Sequence, residues 1–265
     1  MGNNTFSLKE NIKITVITVC YNAEGHIEQA IKSVLSQTYK NIEYIIVDGK
    51  STDKTLEIVN RYKENISKII SEPDKGIYDA MNKGIKLTEG NIIYFLNADD
   101  KLYDEYVFQD IVNEFNSAPD VGVIYGKVNF VNVPTPTPKW LKRDCRIRRK
   151  EDLLGRNLCH QSLFAKRDIF NKTGLFNTKY KIFADYDWVL SLYKHSIKMK
   201  FIDRLIVTYN FCGYSYQNSN SGDKERTVIV FKHFSLPIAI FYIFRYVFLR
   251  RLDRKIRLFF RRNFN

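Results

Sequence analysis

Cysteine is scarce and scattered: four residues in 265, at Cys20, Cys145, Cys159 and Cys212, with no CxxC pair among them. That excludes the disulfide framework of a small secreted domain and leaves reduced, packing thiols as the reading. A long apolar run is also missing. FSLPIAIFYIF, 234–244, is apolar for only eleven residues before Arg245 interrupts it, against the ~20 needed to cross a bilayer. The start, MGNNTFSLKENIK, has no apolar h-region, and Phe6 stands where a myristoylation signal needs Ser or Thr, so the expectation is a protein facing the cytoplasm. Proline is rare as well, and three of the six fall in VNVPTPTPKW, 131–140, which reads as a crossing loop. Acidic residues are short, 29 against 42 Lys+Arg, for a formal charge of +13. Anionic partners are implied: nucleic acid, a nucleotide diphosphate or an acidic membrane surface.

What is present alternates. KITVITVCY, 13–21, is a β-branched apolar run of the kind buried in parallel sheets. In 26–37, Ile27, Ala30, Ile31, Val34 and Leu35 recur at helical spacing, and IEYIIVD, 42–48, reads as a second strand. A helix over Thr52–Tyr62, a strand in ISKIIS, a helix over Tyr78–Leu87 and a strand in NIIYFLN, 91–97, follow. Strands alternating with helices predict an α/β fold with a mostly parallel sheet, whose ligands gather beyond the carboxyl ends of the strands. Tyr21-Asn22, Asp48 and Asn97-Ala98-Asp99-Asp100 each follow an apolar strand, and one polar rim results.

Adjacent carboxylates at a strand terminus, as in Asp99-Asp100, suit a Mg²⁺ or Mn²⁺ held between protein and diphosphate; the same tripeptide with Lys101 also reads as a solvated turn. Ser51 or Thr52 suits the cap of the next helix, with Asp53 in its first turn. In DKGIYDAMNKG, Gly76 and Gly84 suit tight backbone near a ligand, and Asp74, Lys75, Asp79 and Asn82 offer polar groups to a nucleotide or sugar, or to solvent.

ITVCYN, IIVDGKSTDKT, SEPDKGIYDAMNKGI, LNADD and FADYDW occur here in order, and over roughly residues 11–215 the chain resembles the family-two glycosyltransferases, inverting bacterial enzymes of the GT-A type. The resemblance implies a GT-A domain over 1–215 and a separate basic, helical extension over 216–265. It implies a nucleobase beside Tyr21, whose other reading is a core tyrosine, and beside Asp48, the first of two acids; the second position holds Gly49. It implies Asp99 near the ribose or the metal, Asp100 as the principal metal ligand, and Asp185 as the base that takes a proton from the acceptor hydroxyl. Asn97 and Ala184 stand where the family often has Asp and Glu. Asp187 falls about 200° from Asp185 on a helix, so the two do not share one task; either also suits a helix start. His160-Gln161 resembles a pair that borders the acceptor side, where Asp187 is also a candidate, the alternative for His160 being a structural histidine, and FCGYS, 211–215, resembles a loop closing over the donor.

From Lys232 onward nine basic residues face one acid, Asp253, so most of the surplus charge lies in the tail. Interleaved aromatics and arginines fit a helix lying in an anionic membrane interface, or one packed on the domain with a solvated basic face. The resulting expectation is a nucleotide-sugar transferase working on a glycan linked to a carrier such as a polyprenyl diphosphate, peripheral on the inner face of the plasma membrane. Against it stand a nucleic-acid-binding protein, for which the motifs are missing, and a nucleotidyltransferase, which would want an early glycine-rich phosphate loop.

Overall fold

The computed structural model describes residues 11–133, 145–154, 156–211 and 219–248. The prolines of the 131–140 loop, Cys212 with most of the FCGYS loop, and the basic residues from Arg250 on lie outside the described residues. The first half follows the alternation: β1 Ile14–Cys20, α1 Ile27–Leu35, β2 Ile42–Asp48, α2 Thr55–Asn60, β3 Lys68–Ser71, α3 Ile77–Leu87 and β4 Ile92–Phe95. After a two-residue β5, Lys101–Leu102, come α4 Val107–Ser117, β6 Val123–Val131, β7 Leu163–Lys166, α5 Arg167–Thr173, α6 Ala184–Lys194 and β8 Met199–Asn210. Two helices, α7 Ser219–His233 and α8 Leu236–Tyr242, and a π-helical turn over Ile243–Phe248 close the described chain.

The strands form one sheet in the order β3-β2-β1-β4-β7-β6-β8-β5. β3, β2, β1 and β4 run parallel. β7 enters antiparallel to both β4 and β6, while β8 pairs parallel with β6 and antiparallel with β5. The sheet is therefore parallel where the sequence alternates regularly, and mixed in its second half.

Side-chain alternation sorts the sheet into two cores. Ile17 and Val19 of β1, Ile45 and Val47 of β2, and Ile93 and Phe95 of β4 face α3, α5, α6 and α7. Val16, Tyr44, Ile46, Ile92 and Tyr94 face α1 and α4. Helix α3 lies close enough to β1 that a Cβ on Gly84 would sit 2.5 Å from Ile17 Cγ2, so the glycine here serves packing. The opposite rim, away from the strands' carboxyl ends, is closed by Glu43, which accepts from Thr15 at 2.5 Å, from the Glu89 and Gly90 amides at 2.8 and 3.2 Å, and from Lys68 at 3.1 Å.

The helices after Ser219 share the core of the domain: Ile229, Val230, Phe234, Ala239 and Tyr242 are buried in the same cluster as Trp188 and Phe176. Their other face, Val228, Phe231, Leu236, Ile240, Phe241 and Phe244, is exposed.

Asn82 of α3 joins this core to the loop before α6. Its Nδ2 donates to the Phe176 carbonyl at 2.8 Å and its Oδ1 accepts the Phe176 N–H at 3.0 Å. Asn82→Ala orphans both buried backbone groups and should cost about 2–4 kcal/mol, read from urea unfolding; a loss below about 0.5 kcal/mol would show that the clamp is dispensable.

Candidate active site

The carboxyl ends of β1, β2 and β4 are laced together before any ligand is considered. Asn22 and Lys50, just past β1 and β2, take left-handed φ values of 47° and 65°, a conformation that asparagine tolerates better than lysine. Asn22 Oδ1 accepts the Thr52 N–H at 2.9 Å, and its own N–H donates to Ser51 Oγ at 2.8 Å. Asp53, rather than Ser51 or Thr52, meets the start of α2, accepting from the Thr55 amide at 2.9 Å. Ser51 is held instead by Asp48.

Asp48 is fully buried. Its Oδ2 accepts the Ser51 N–H at 3.0 Å and the Ser71 hydroxyl at 2.6 Å, while Oδ1 accepts the Ser51 hydroxyl and the Cys20 thiol, the latter at 3.7 Å. The sequence placed Asp48 at a nucleobase; the fold occupies both of its oxygens with the loop. Asn82, expected near the nucleotide or the sugar, has both ends of its amide on Phe176. Tyr21 projects at 63% exposure, a free ring and not a core tyrosine. Asp74 is half-buried and Lys75 exposed on the loop before α3, where the Lys75 N–H donates to Asp79 at 3.0 Å and its carbonyl accepts from Lys181 at 2.8 Å. Cys20, Cys145 and Cys159 carry no disulfide.

Past β4 the acidic pair separates. Asp99 is half-buried: burial lifts its carboxyl above the ordinary value, opposed by its own backbone N–H and by nearby His26 and His160. Asp100 is 3% exposed. Burial first, and the Asp99 charge second, push it up to about 8, against hydrogen bonds from the Asn210 N–H at 2.9 Å and Gln161 Nε2 at 2.8 Å. Among the described residues neither carboxylate has a Lys or Arg acting on it.

This is a fit for a hard divalent cation, which lowers the cost of two adjacent carboxylates in a dry rim and takes oxygen ligands. The described residues contain no group of three or more His, Cys, Asp or Glu side chains placed to hold a metal. Asp99 and Asp100 would thus be the protein's share of the ligands, with the remainder from a diphosphate and water.

The neighbouring turn, His160–Ser162, bridges this pair to α6. His160 Nδ1 lies 3.1 Å from Asp185 Oδ2 and its Nε2 3.4 Å from Asn97 Oδ1, while Gln161 binds Asp100. Asn157 Nδ2 donates to both Asp185 oxygens at 3.3 Å, and its own buried Oδ1 has no partner among the described residues. Asp185 and Asp187 face apart, as helical geometry requires. Asp187 accepts from Lys232 at 2.8 and 2.9 Å and from His233 at 2.7 Å; burial raises its carboxyl, and these bonds more than offset it, for a net lowering. Asp187 thus faces α7, away from the cleft. Asn157 and Asn210 carry no signal in the sequence, and Ser71 opens the SEPDKG motif without showing its partner: each arrives from a distant segment and its role is visible only once folded.

The architecture, a curled α/β sheet with its acids at the carboxyl ends of β2 and β4, is that of a GT-A glycosyltransferase. The family model described as Glycosyl transferase family 2 matches residues 15–174, more than half of the chain, and the chain belongs to that family. It is 29% identical over 203 residues, 75% of this chain and 77% of the relative, to a PGL/p-HBAD biosynthesis glycosyltransferase of Mycobacterium bovis. Among solved structures, S. aureus TarS 1-349 in complex with UDP-GlcNAc is similar with a TM-score of 0.68 at 18% identity, over 83% of this chain and 66% of that one. The same fragment with UDP gives 0.65 at 19% identity, 83% of this chain matching 65% of that one. Mannosyltransferase PcManGT from Pyrobaculum calidifontis, in complex with GDP-Man and Mn2+, gives 0.62 at 17% identity, over 84% and 63%. The chain is a glycosyltransferase. No helix among the described residues is long and apolar enough to cross a membrane.

The raised Asp100 predicts a pH signature. Without divalent cations the folded protein keeps a proton that the unfolded chain, with an ordinary value of 3.8, releases. Stability should therefore fall as pH rises from about 4 through about 8, and Mg²⁺ or Mn²⁺ should stabilise most at the alkaline end, since binding competes with the proton. Thermal melts from about pH 5 to 9, with and without the cation, read this; Asp100→Asn should flatten the slope, and an unchanged slope in that variant would count against it.

Proposed function

We propose that the enzyme moves a hexose or N-acetylhexosamine from a nucleoside-diphosphate donor to a growing glycan, inverting the anomeric centre, with Asp185 as general base. The observation that carries the reading is the His160–Gln161 turn, which ties the Asp99–Asp100 pair to Asp185 through two consecutive side chains. Inversion in one displacement needs a single base opposite the leaving group. His160 and Asn157 hold both Asp185 oxygens, so the carboxylate faces an acceptor hydroxyl in a fixed orientation. When bound, a Mg²⁺ or Mn²⁺ supplies positive charge for the departing diphosphate. The donor class draws support from the UDP, UDP-GlcNAc and GDP-Man complexes of the structural neighbours, and the cation from the Mn2+ in one of them. Lys75 belongs to the same proposal as a cation beside the donor, and His160 and Gln161 as the border of the acceptor side.

The acceptor we propose is a glycan on a lipid carrier such as a polyprenyl diphosphate, reached from the inner face of the plasma membrane. Support comes from the exposed Phe231, Leu236, Ile240, Phe241 and Phe244, which lead in sequence to the arginine-rich end. One face of these helices packs on the domain and the other is exposed, the side an anionic interface would meet, where each basic residue contributes on the order of 1 kcal/mol.

Asp185→Asn keeps the size of the side chain but cannot take the proton. It should lose transfer by roughly 10²- to 10⁴-fold while still binding donor; product NMR beside these kinetics checks it, and an α-linked product from an α-linked donor, or a fully active variant, would overturn the assignment. Phe241→Ser with Phe244→Ser, which spare the buried face, should release the protein from anionic liposomes in a flotation assay; undiminished binding would reject the membrane role.

A further inference from the structure

The acid that ends β2 has no oxygen to spare. Asp48 accepts four hydrogen bonds, from Ser51 twice, Ser71 and Cys20, and is shut off from solvent. A carboxylate offers about four lone-pair sites, so nothing remains with which to read a nucleobase.

One residue further, Gly49 leaves a vacancy that another residue fills. A Cβ on Gly49 would lie 2.5 Å from Asp74 Oδ2, 3.4 Å from Asp74 Cγ and 3.4 Å from Tyr21 Cδ2. The Asp74 carboxylate, arriving from the loop between β3 and α3, therefore occupies the volume a side chain at 49 would take, a space that the exposed Tyr21 ring also borders. Asp74 Oδ1 accepts the Gly76 N–H at 2.8 Å, which fixes the orientation of the group and leaves Oδ2 turned toward Gly49 and Tyr21.

An exposed aromatic face beside one oriented carboxylate oxygen suits a planar ring that stacks and presents a single N–H at its edge. Uracil and thymine do so with N3–H. Guanine presents two adjacent donors, N1–H and the 2-amino group, and pairs best with both oxygens side by side, one of which is already engaged by Gly76. Adenine and cytosine would turn a ring-nitrogen lone pair toward the carboxylate.

We propose that Asp74, seated in the space that Gly49 leaves open and beside Tyr21, recognises the N3–H of a uracil or thymine base, a task the buried Asp48 cannot perform. This rests on the nucleotide-donor reading above and adds the residue and the base class to it.

Calorimetric titration of the full chain, with Mg²⁺ present, by UDP, dTDP and GDP tests it. The wild type should bind UDP or dTDP at least about tenfold more tightly than GDP, the comparison of the first two reporting whether a 5-methyl group is accepted. Asp74→Asn should weaken the preferred pyrimidine nucleotide by roughly 10- to 100-fold with an unchanged circular dichroism spectrum and melting temperature. Gly49→Ala, which leaves Tyr21 and Asp74 in the chain but drives a methyl into Oδ2, should weaken it in the same direction. Undiminished UDP and dTDP affinity in Asp74→Asn, or a wild type that prefers GDP, would overturn the base assignment and leave the donor reading standing; a wild type that binds none of the three would overturn both.

Discussion

The rim of this enzyme is organised around a carboxylate that water does not reach. Asp100 is buried beside Asp99 with no basic side chain acting on it among the described residues, and a buried charge of this kind is tolerated only when something neutralises it. In the cation-free protein burial and the Asp99 charge favour the protonated form. The groups that hold Asp100 come from both halves of the sheet: β4 carries it, the end of β8 donates the Asn210 amide, and the His160–Ser162 turn donates Gln161. The parallel and mixed halves therefore converge on one side chain and fix its position.

A second acid shows how the C-terminal helices belong to the catalytic unit. Asp187 is one helical half-turn from Asp185 but points the other way, into Lys232 and His233 of α7. Glu225 of the same helix accepts the N–H groups of Lys181, Ile182 and Phe183 at 2.7, 2.9 and 3.1 Å, just before α6 begins. The start of α6, and with it Asp185, is thus held from behind by α7. These contacts cross residue 215, where the resemblance to the family ends, and the apolar residues exposed on α7 and α8 are the outward side of a helix pair whose inward side is core.

Two pairs of acids divide their labour by the groups that reach their oxygens. Of Asp48 and Asp74, the first organises the loop after β2 and the second stands open beside Tyr21. Of Asp185 and Asp187, the first meets Asn157 and His160 and the second anchors a helix. Burial separates the first pair, whereas Asp185 and Asp187 are equally buried at 6% exposure and differ only in the groups that meet their oxygens.

The regular alternation of apolar strands and amphipathic helices through residue 97 was enough to read β1 to β4, the helices between them, the parallel half of the sheet and the rim where the polar residues gather, because strand and helix periodicities are local properties of the chain. The exposure of Tyr21 and the opposed directions of Asp185 and Asp187 lie between these cases: helix geometry supplied the second, while the sequence left the first open. The antiparallel entry of β7, the burial of Asp48, the clamp of Asn82 on Phe176 and the reach of His160 to Asp185 depend on segments from about 20 to 95 residues apart, whose meeting no local pattern encodes. Whether an acid in a motif faces a ligand or a loop is decided by which distant donors arrive at its oxygens, and only the tertiary structure brings them there.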